Sequence, residues 1–343
     1  MTSDILTLLF FSVFFSLVII KFRKIISEKI NIIDHPIDKR KIHTQPTPLI
    51  GGTIIILNLY LVNLYLILSS QISNLDILLL IFCTISCILG LMDDIFNISS
   101  LKKLFLIGAT YFIITFFDKN LFLKYLYSDS TEKFYYLNFL SIFFTVLCIL
   151  LLVNAFNLSD GINCLAIMIA IIWLVYIFFL FKNINNSYII ILVSLIIMIP
   201  FNFKGKFFLG DSGSLLLGSF IGIVFITNYN QEMNFEMNKI SLESIFIIFM
   251  IPGIDMFRLF LERILKRKNP FVGDSEHLHH FLYKIFNLNL TLFFYFILTT
   301  IPILISYNNL INPLINITLT ISLYLLILNY CKKKLNFIKI KKN

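Results

Sequence analysis

Five short polar segments interrupt an otherwise apolar chain, and their side chains are of the kinds that bind phosphates and metal ions. They are Asp34 to Gly52, Asp93-Asp94, Asn154 to Gly161, Gly210 to Ser214 and His277 to His280. Each segment lies where one apolar run ends or the next begins. Because polar and ionisable groups are costly at membrane depth, they usually line a cavity or a substrate path. We therefore expect the five segments to form one composite site.

The aspartates supply the candidate acids, bases and metal ligands. Asp93 and Asp94 are adjacent on a predicted helix, so their carboxylates point about 100° apart and can serve different ligands. One can hold a metal ion while the other acts as a base; the alternative is a solvated helix end beside Lys102-Lys103. Asp211 lies among glycines and serines at the start of another predicted helix. There it can bind Mg²⁺, while either Asp211 or Ser212 can cap the helix.

A row of three polar side chains precedes Gly161. Asn154, Asn157 and Asp160 are spaced three residues apart, which places them on one face of a helix and makes that face suitable for a polar ligand. The alternative is a helix C-cap, which explains Gly161 but leaves the row of polar groups unexplained.

Histidines and basic residues accompany the acids. Three of the five histidines lie at 277 to 280 after a basic loop, where phosphate binding fits them better than zinc, for which no cysteine has suitable spacing. A second basic segment contains Lys41 and His43. Phe207-Phe208 can stack on a base or anchor at the membrane interface. Asp255 and Arg258, three residues apart, are expected to form a structural pair.

The composition places these segments in a membrane. The 343 residues are 58% hydrophobic and 14% charged, whereas soluble domains carry about 25% charged residues. A membrane span needs about 20 apolar residues, and eleven runs approach that length. They are 4–20, 49–69, 75–92, 103–117, 137–153, 163–181, 187–201, 213–228, 243–261, 290–306 and 310–330. We predict an all-α polytopic membrane protein of about ten or eleven transmembrane helices in one domain, with its motifs between about 30 and 285.

The distribution of charge predicts an orientation. With the N-terminus outside, all but five of the 28 Lys and Arg residues lie on the inner side, in agreement with the positive-inside rule. The exceptions are Lys119, Lys124, Lys133, Lys182 and Lys239. This arrangement puts the C-terminus and all five polar segments on the cytoplasmic side. The net charge of +9 then suits anionic lipid headgroups rather than nucleic acid.

Two further features are interpreted as structural. The cysteines are odd in number and form no CxxC pair, so we expect them to be buried apolar side chains. Residues 4–20 are similar to a signal peptide but lack a small-residue cleavage site, so we expect them to remain as the first span.

Carboxylates for Mg²⁺, basic residues for phosphates and the adjacent lipid together predict phosphoryl-type transfer from a soluble phosphorylated donor to a lipid acceptor. The metal ion would neutralise a diphosphate and stabilise the departing charge. A transporter is an alternative, although its carboxylates typically lie at mid-span in broken helices. An aspartate-rich prenyltransferase would need a DxxxD pattern, which Asp93-Asp94 does not supply.

The same segments resemble the polyprenyl-phosphate N-acetylhexosamine-1-phosphate transferases of the MraY, WecA and TagO type. The matching stretches are 34–43 with 48–52, 90–94, 154–161, 208–214 and 277–280, in the family's order. The resemblance implies that a polyprenyl phosphate, undecaprenyl phosphate in bacteria, attacks the β-phosphate of a UDP-N-acetylhexosamine. The products are the polyprenyl-diphospho-sugar and UMP. The implied cofactor is Mg²⁺ or Mn²⁺, the implied location is the bacterial inner membrane, and a homodimer is one arrangement we keep open.

The resemblance also implies roles by position. Asp211 corresponds to the metal ligand, and Asn157 and Asp160 to residues of the nucleotide and metal sites. Asp93 with Asp94 corresponds to the pair that deprotonates or positions the lipid phosphate and supports the metal. Phe208 matches a position that stacks on uracil, and the histidines match a diphosphate-binding motif. The full set of expected substrate-binding residues is Asn157, Phe208, Asn163, Lys41, His43, His277, His279 and His280.

The sequence departs from the family at Asn163, where the family often has aspartate. Asparagine keeps hydrogen bonding but loses a charge, which bears on nucleotide or sugar preference more than on the reaction. The His-x-His-His form, with Arg40-Lys41 and His43, is closer to the WecA and TagO branch. An inactive, lipid-binding relative stays open as an alternative, and so do the identity of the sugar and the polysaccharide pathway.

Overall fold

The computed structural model describes residues 3–36, 43–181, 186–234, 240–271 and 275–342. Within these ranges the chain forms thirteen α-helices. They are α1 (Ser3–Lys21), α2 (Arg23–Ile30), α3 (Gly51–Leu68), α4 (Asn74–Phe96), α5 (Ser100–Ile114), α6 (Ser141–Ser159), α7 (Leu165–Leu180), α8 (Asn186–Phe203), α9 (Gly210–Asn234), α10 (Leu242–Leu265), α11 (Leu278–Ile285), α12 (Leu288–Tyr307) and α13 (Pro313–Lys342). Two small antiparallel sheets pair β1 (Ile33–Asp34) with β2 (Thr47–Pro48) and β3 (Tyr125–Ser128) with β4 (Lys133–Tyr136).

Each of the eleven predicted runs forms a helix, which confirms an all-α polytopic membrane protein. Seven helices among the described residues are long and apolar enough to cross a membrane, and the pair α1–α2, bent by 68°, makes an eighth. The count is lower than ten or eleven because α5 and α7 have only 15 and 16 residues, and the apolar part of α8, Ser187–Phe203, is also short. At 1.5 Å per residue they rise less than the roughly 30 Å of a bilayer's hydrocarbon core.

The ends of α4 explain the position of Asp93-Asp94. The helix begins at a capping box in which Ser73 Oγ accepts from the Asp76 N–H at 3.2 Å and the Asp76 carboxylate accepts from the Ser73 N–H at 3.0 Å. It ends at Asn97, whose φ of 51° is left-handed. Such a residue stops a helix, so the two aspartates lie in its last turn, at the end of the span.

Helix α9 is the centre of the bundle. In its membrane-crossing stretch 89% of the residues are buried, against 28% in α13. Helix α4 packs closely along it: a Cβ at Gly90 would lie 2.4 Å from the backbone of Asp211 and Ser212. Only glycine permits this approach, which brings the end of α4 against the start of α9.

The cysteines agree with their predicted structural role. All five are free; four are buried and Cys148 is half-buried.

Candidate active site

The structure brings the five polar segments together at one end of the helix bundle. Asp94 at the end of α4 contacts the start of α9. A Cβ at Gly52, in the first turn of α3, would lie 2.5 Å from Ser212 Oγ, and one at Gly161, after α6, would lie 2.2 Å from His279 Nε2. The described parts of the five segments therefore contact one another, with Asn157 joining the end of α6 to Asp211, as their positions at helix ends indicate.

Asp94 caps helix α9 from a neighbouring helix. Its carboxylate accepts from the backbone N–H of Asp211 at 2.9 Å and of Ser212 at 3.1 Å. An anion at a helix N-terminus is stabilised by the free N–H groups and by the helix dipole. The sequence offered Asp211 or Ser212 as the cap; the structure gives these contacts to Asp94, which leaves the Asp211 carboxylate free for other partners.

Lys103, on the first turn of α5, joins the acids into one cluster. Its Nζ lies 2.6 Å from Asp93 Oδ2, 3.4 Å from Asn157 Oδ1 and 3.9 Å from Asp211 Oδ2. The side chain is buried. We call Asp93, Asp94, Lys103, Asn157 and Asp211 the carboxylate cluster. Lys103 is part of no motif in the sequence; the available signal was a lysine at the start of a predicted span, ten residues after Asp93.

The predicted row of polar residues on α6 divides. Asn157 Nδ2 donates to Asp211 Oδ1 at 2.5 Å and to Ser214 Oγ at 2.8 Å. Asn154 instead turns its amide to Met256 Sδ of α10 at 3.1 Å. The reason is the helix geometry: three residues cover 300° rather than a full turn, so a row with this spacing drifts around the helix.

Asp160 ends α6 and lies just beyond the span. Burial raises the pKa of its carboxyl group well above the usual range, and the carboxylates of Asp211 and Asp94 raise it further. Crowding among these acids therefore disfavours their ionised forms, and Lys103 is the one lysine that the described residues place against them. A bound cation would lower the free energy of the ionised acids.

The histidines form a second cluster beside Asp160 and Gly161. His279 is fully buried, and neither ring nitrogen has a hydrogen-bond partner among the described residues. Its ring centroid lies 5.4 Å from that of His277 and 4.2 Å from that of His280. Burial lowers the pKa of His279, and the two neighbouring histidines lower it further. We call these three residues the histidine cluster.

The remaining expected residues lie around these two clusters. Phe208 meets the ring of His43 edge-on at 5.0 Å, and His43 Nε2 lies 3.5 Å from Asp34 Oδ2. Asn163 Nδ2 donates to the Phe203 carbonyl at the end of α8 at 3.4 Å, so its amide is directed to α8 rather than to the carboxylate cluster. Lys41 lies outside the described residues.

The carboxylate and amide oxygens of the cluster fit a magnesium ion whose remaining ligands would come from water and the substrate. Among the described residues no group of three or more His, Cys, Asp and Glu side chains is arranged to hold a metal ion by itself. Mg²⁺ usually takes one or two carboxylates and keeps waters and substrate phosphates as its other ligands. The Asp211 side chain is 35% exposed, which leaves its carboxylate accessible to a metal ion. Among the described residues, Lys103 is the only lysine or arginine paired with it.

Comparison with known proteins agrees with these observations. Residues 77–229 match the profile of glycosyl transferase family 4. The undecaprenyl-phosphate alpha-N-acetylglucosaminyl 1-phosphate transferase of Thermotoga maritima is 25% identical over 264 residues, which cover 75% of this chain and 74% of that protein.

Two further relatives cover similar shares. The probable undecaprenyl-phosphate N-acetylglucosaminyl 1-phosphate transferase of Bacillus subtilis is 27% identical over 77% of this chain and 73% of its own. The undecaprenyl-phosphate alpha-N-acetylglucosaminyl 1-phosphate transferase of Escherichia coli K12 is 24% identical over 82% and 76%. The match to the glycosyl transferase family 4 profile includes Asp93, Asp94 and Asp211, which lie together at one end of this all-α membrane bundle.

Proposed function

We propose that this protein transfers a sugar 1-phosphate from a UDP-N-acetylhexosamine, carrying GlcNAc or a related amino sugar, to undecaprenyl phosphate. The products are undecaprenyl-diphospho-sugar and UMP, and the reaction initiates the synthesis of a cell-surface polysaccharide. The observation that carries the proposal is the carboxylate cluster beside the histidine cluster: Asp93 and Asp211 share Lys103, and Asp94 accepts from the backbone N–H of Asp211. The names of the relatives supply the two substrates.

The acids and the lysine divide the chemistry. Asp211, with Asn157 and Asp160, would hold Mg²⁺, which would neutralise the donor diphosphate and stabilise the charge of the departing UMP. Asp93, held by Lys103 at 2.6 Å, orients the lipid phosphate or takes its remaining proton. The new bond joins a lipid phosphate oxygen to the β-phosphorus, and the bond from that phosphorus to the bridging oxygen breaks. Asp94 keeps the start of α9 in place.

The residues around the acids bind the donor. The histidine cluster, with His43 and Lys41, contacts the diphosphate, since imidazole N–H groups and lysine are donors to phosphate oxygens. Phe208 offers an aromatic face to the uracil ring. Asn163 contributes to the choice of nucleotide or sugar.

The direct test is UMP release by the purified protein with undecaprenyl phosphate, Mg²⁺ and a panel of UDP-N-acetylhexosamines. UMP from one donor, lost with EDTA and restored by added Mg²⁺ or Mn²⁺, is the expected result. UMP release that EDTA leaves unchanged would contradict the metal-dependent mechanism. No UMP from any donor, together with retained binding of undecaprenyl phosphate, would favour an inactive lipid-binding relative.

We also propose that the site faces the cytoplasm, with the N-terminus outside and the C-terminus inside the bacterial inner membrane. A cysteine replacing Glu276, whose side chain is exposed, is then labelled by an impermeant thiol reagent only after the membrane is opened. Wild type measures the background from native cysteines, most of which are buried. Labelling above that background in intact cells would reverse the orientation.

A further inference from the structure

A buried network around Asp255 supports His277 of the histidine cluster. Asp255 Oδ2 lies 2.8 Å from His277 Nδ1, and both of its carboxylate oxygens accept from the Leu278 N–H at 3.2 and 3.3 Å. Asp255 Oδ1 also accepts from Tyr324 Oη at 2.5 Å and from Arg258 Nη2 at 2.9 Å. Tyr324 belongs to α13, far along the chain from the motifs.

The network fixes the ring of His277. Asp255 is 2% exposed, Tyr324 0% and His277 4%, so water does not compete for these bonds. Because Nδ1 is engaged by the carboxylate, Nε2 is the only ring nitrogen that can meet a ligand. A carboxylate behind an imidazole sets its tautomer and its orientation in the same way at metal and catalytic sites.

A second set of bonds ties the same segment to α13. Arg258 Nε donates to Tyr324 Oη at 2.9 Å, and Arg258 Nη2 donates to the carbonyl of Glu276, the residue before His277, at 2.7 Å. Arg258 Nη1 also pairs with Glu262 at 2.8 Å, and Glu262 accepts from Lys332 of α13 at 3.0 Å. Helix α13 therefore holds both the side chain of His277 and the backbone that leads to it.

We propose that Tyr324 and Arg258 are positioning residues that act through Asp255 to set His277 for the donor diphosphate. This inference rests on the proposed function, in which the histidine cluster binds that diphosphate. It extends the functional unit to α13, which lies beyond the residues that match the family profile.

The kinetic test is Tyr324→Phe, which removes one hydroxyl and keeps the ring. Loss of a hydrogen bond to a charged group loosens His277, so we expect the KM for the UDP-sugar to rise about tenfold, with kcat changed less than about twofold. Tyr330→Phe is the matched control, because Tyr330 lies on the same helix and is exposed. It should leave both constants unchanged.

A double-mutant cycle separates positioning from a general structural role. If Tyr324 acts through His277, Tyr324→Phe has no further effect on KM in a His277→Ala background. Full additivity of the two substitutions would overturn the proposal. Arg258→Lys, which keeps the charge but loses the planar fork, provides a second variant if Tyr324→Phe does not fold.

Hydrogen exchange distinguishes failure of this inference from failure of the proposed function, because it needs no turnover. We expect the backbone amides of 276–285 to exchange faster in Tyr324→Phe than in wild type or Tyr330→Phe, since the Leu278 N–H is bonded to Asp255. Unchanged exchange in that segment would overturn the inference even if the protein is an active transferase. Faster exchange in a protein that releases no UMP would instead confirm that Tyr324 positions this segment and would contradict the proposed transferase function.

Discussion

Two groups of acids lie at the same end of the bundle, and they differ in how their charge is balanced. The Asp255 carboxylate has the guanidinium of Arg258, the imidazole of His277 and the hydroxyl of Tyr324 around it. In the carboxylate cluster, Lys103 is the only Lys or Arg that the described residues show paired with Asp93 and Asp211. We call the Asp255 group closed, because its charge is balanced by protein partners, and the carboxylate cluster open, because its charge is balanced only in part.

The difference indicates what each group does. A buried carboxylate with a full set of donors stabilises one arrangement of the chain, and removing a partner leaves an uncompensated charge. Acids placed close together without enough cations cost stability, and proteins keep such arrangements at sites that bind ligands. We therefore expect substitutions at Asp255 to lower stability and, through His277, to raise the KM for the donor, whereas substitutions at Asp211 should lower the rate of the reaction with little loss of stability.

The largest predicted contrast is between Asp211→Asn and Asp255→Asn. Asp211→Asn should lower UMP release by at least about a hundredfold, since a metal ligand and its charge are lost. Its melting temperature in detergent should stay the same or rise, because repulsion among the acids falls. Asp255→Asn should lower the melting temperature, because Arg258 and His277 lose a buried carboxylate partner and Arg258 keeps only Glu262. The size expected for breaking a buried pair is about 3 kcal/mol.

Thermal unfolding and UMP release, measured on both variants, test this contrast. The division into an open and a closed group is wrong if Asp211→Asn retains near-wild-type activity. It is equally wrong if the two variants lose the same stability.

The next effect concerns Lys103. Lys103→Met leaves the buried carboxylate of Asp93 without its cation, so the free energy of unfolding should fall by about 3 kcal/mol. Adding Asp93→Asn should restore part of that loss, because the uncompensated charge is removed. Thermal unfolding of the single and double variants measures the restoration, and an additive loss in the double variant would mean that the pair is not coupled.

Gly161→Ala tests whether the close packing of the end of α6 against the histidine cluster matters for activity. The added Cβ would lie 2.2 Å from His279 Nε2, so the histidines must move; a shift of about 1 Å at a reacting site can cost up to roughly a hundredfold in rate. Gly253→Ala is the control, because a Cβ there meets nothing within 4 Å. It should keep activity and gain up to about 1 kcal/mol of stability from helix propensity.

Equal activities of the two glycine variants would show that the close contact at Gly161 is not needed for activity. A drop in kcat/KM confined to Gly161→Ala is the expected outcome.

The sequence predicts the parts of this molecule that depend on local chemistry. Apolar runs predicted every long helix. Polar residues at the ends of these runs predicted which residues lie near one another, because the helix ends of a bundle are gathered at its two ends. The number of spans was less predictable, since the apolar runs at α5, α7 and α8 form helices that are short for a bilayer span. Hydropathy alone does not show where a helix stops.

The partners of single side chains were less predictable still. Asp94 caps a helix 117 residues away, and Lys103 joins residues from three helices. Tyr324 lies 69 residues from Asp255. These contacts depend on how helices pack, and one sequence carries no periodic signal for a pairing between distant helices. The Asp255–Arg258 pair was predictable because both residues lie on one helix at a spacing that brings side chains together.

The smallest predicted effect is that of Asn163→Asp, the change toward the residue the resembled family often has. In the structure the Asn163 amide makes one long hydrogen bond of 3.4 Å to the Phe203 carbonyl, which a carboxylate cannot donate. Loss of a single hydrogen bond is worth about 1 kcal/mol, so UMP release should change less than about fivefold with each UDP-sugar in the panel. A gain of tenfold or more would show that an acid at this position joins the carboxylate cluster when substrate is bound. The open group would then extend across the α6–α7 connection to the end of α8.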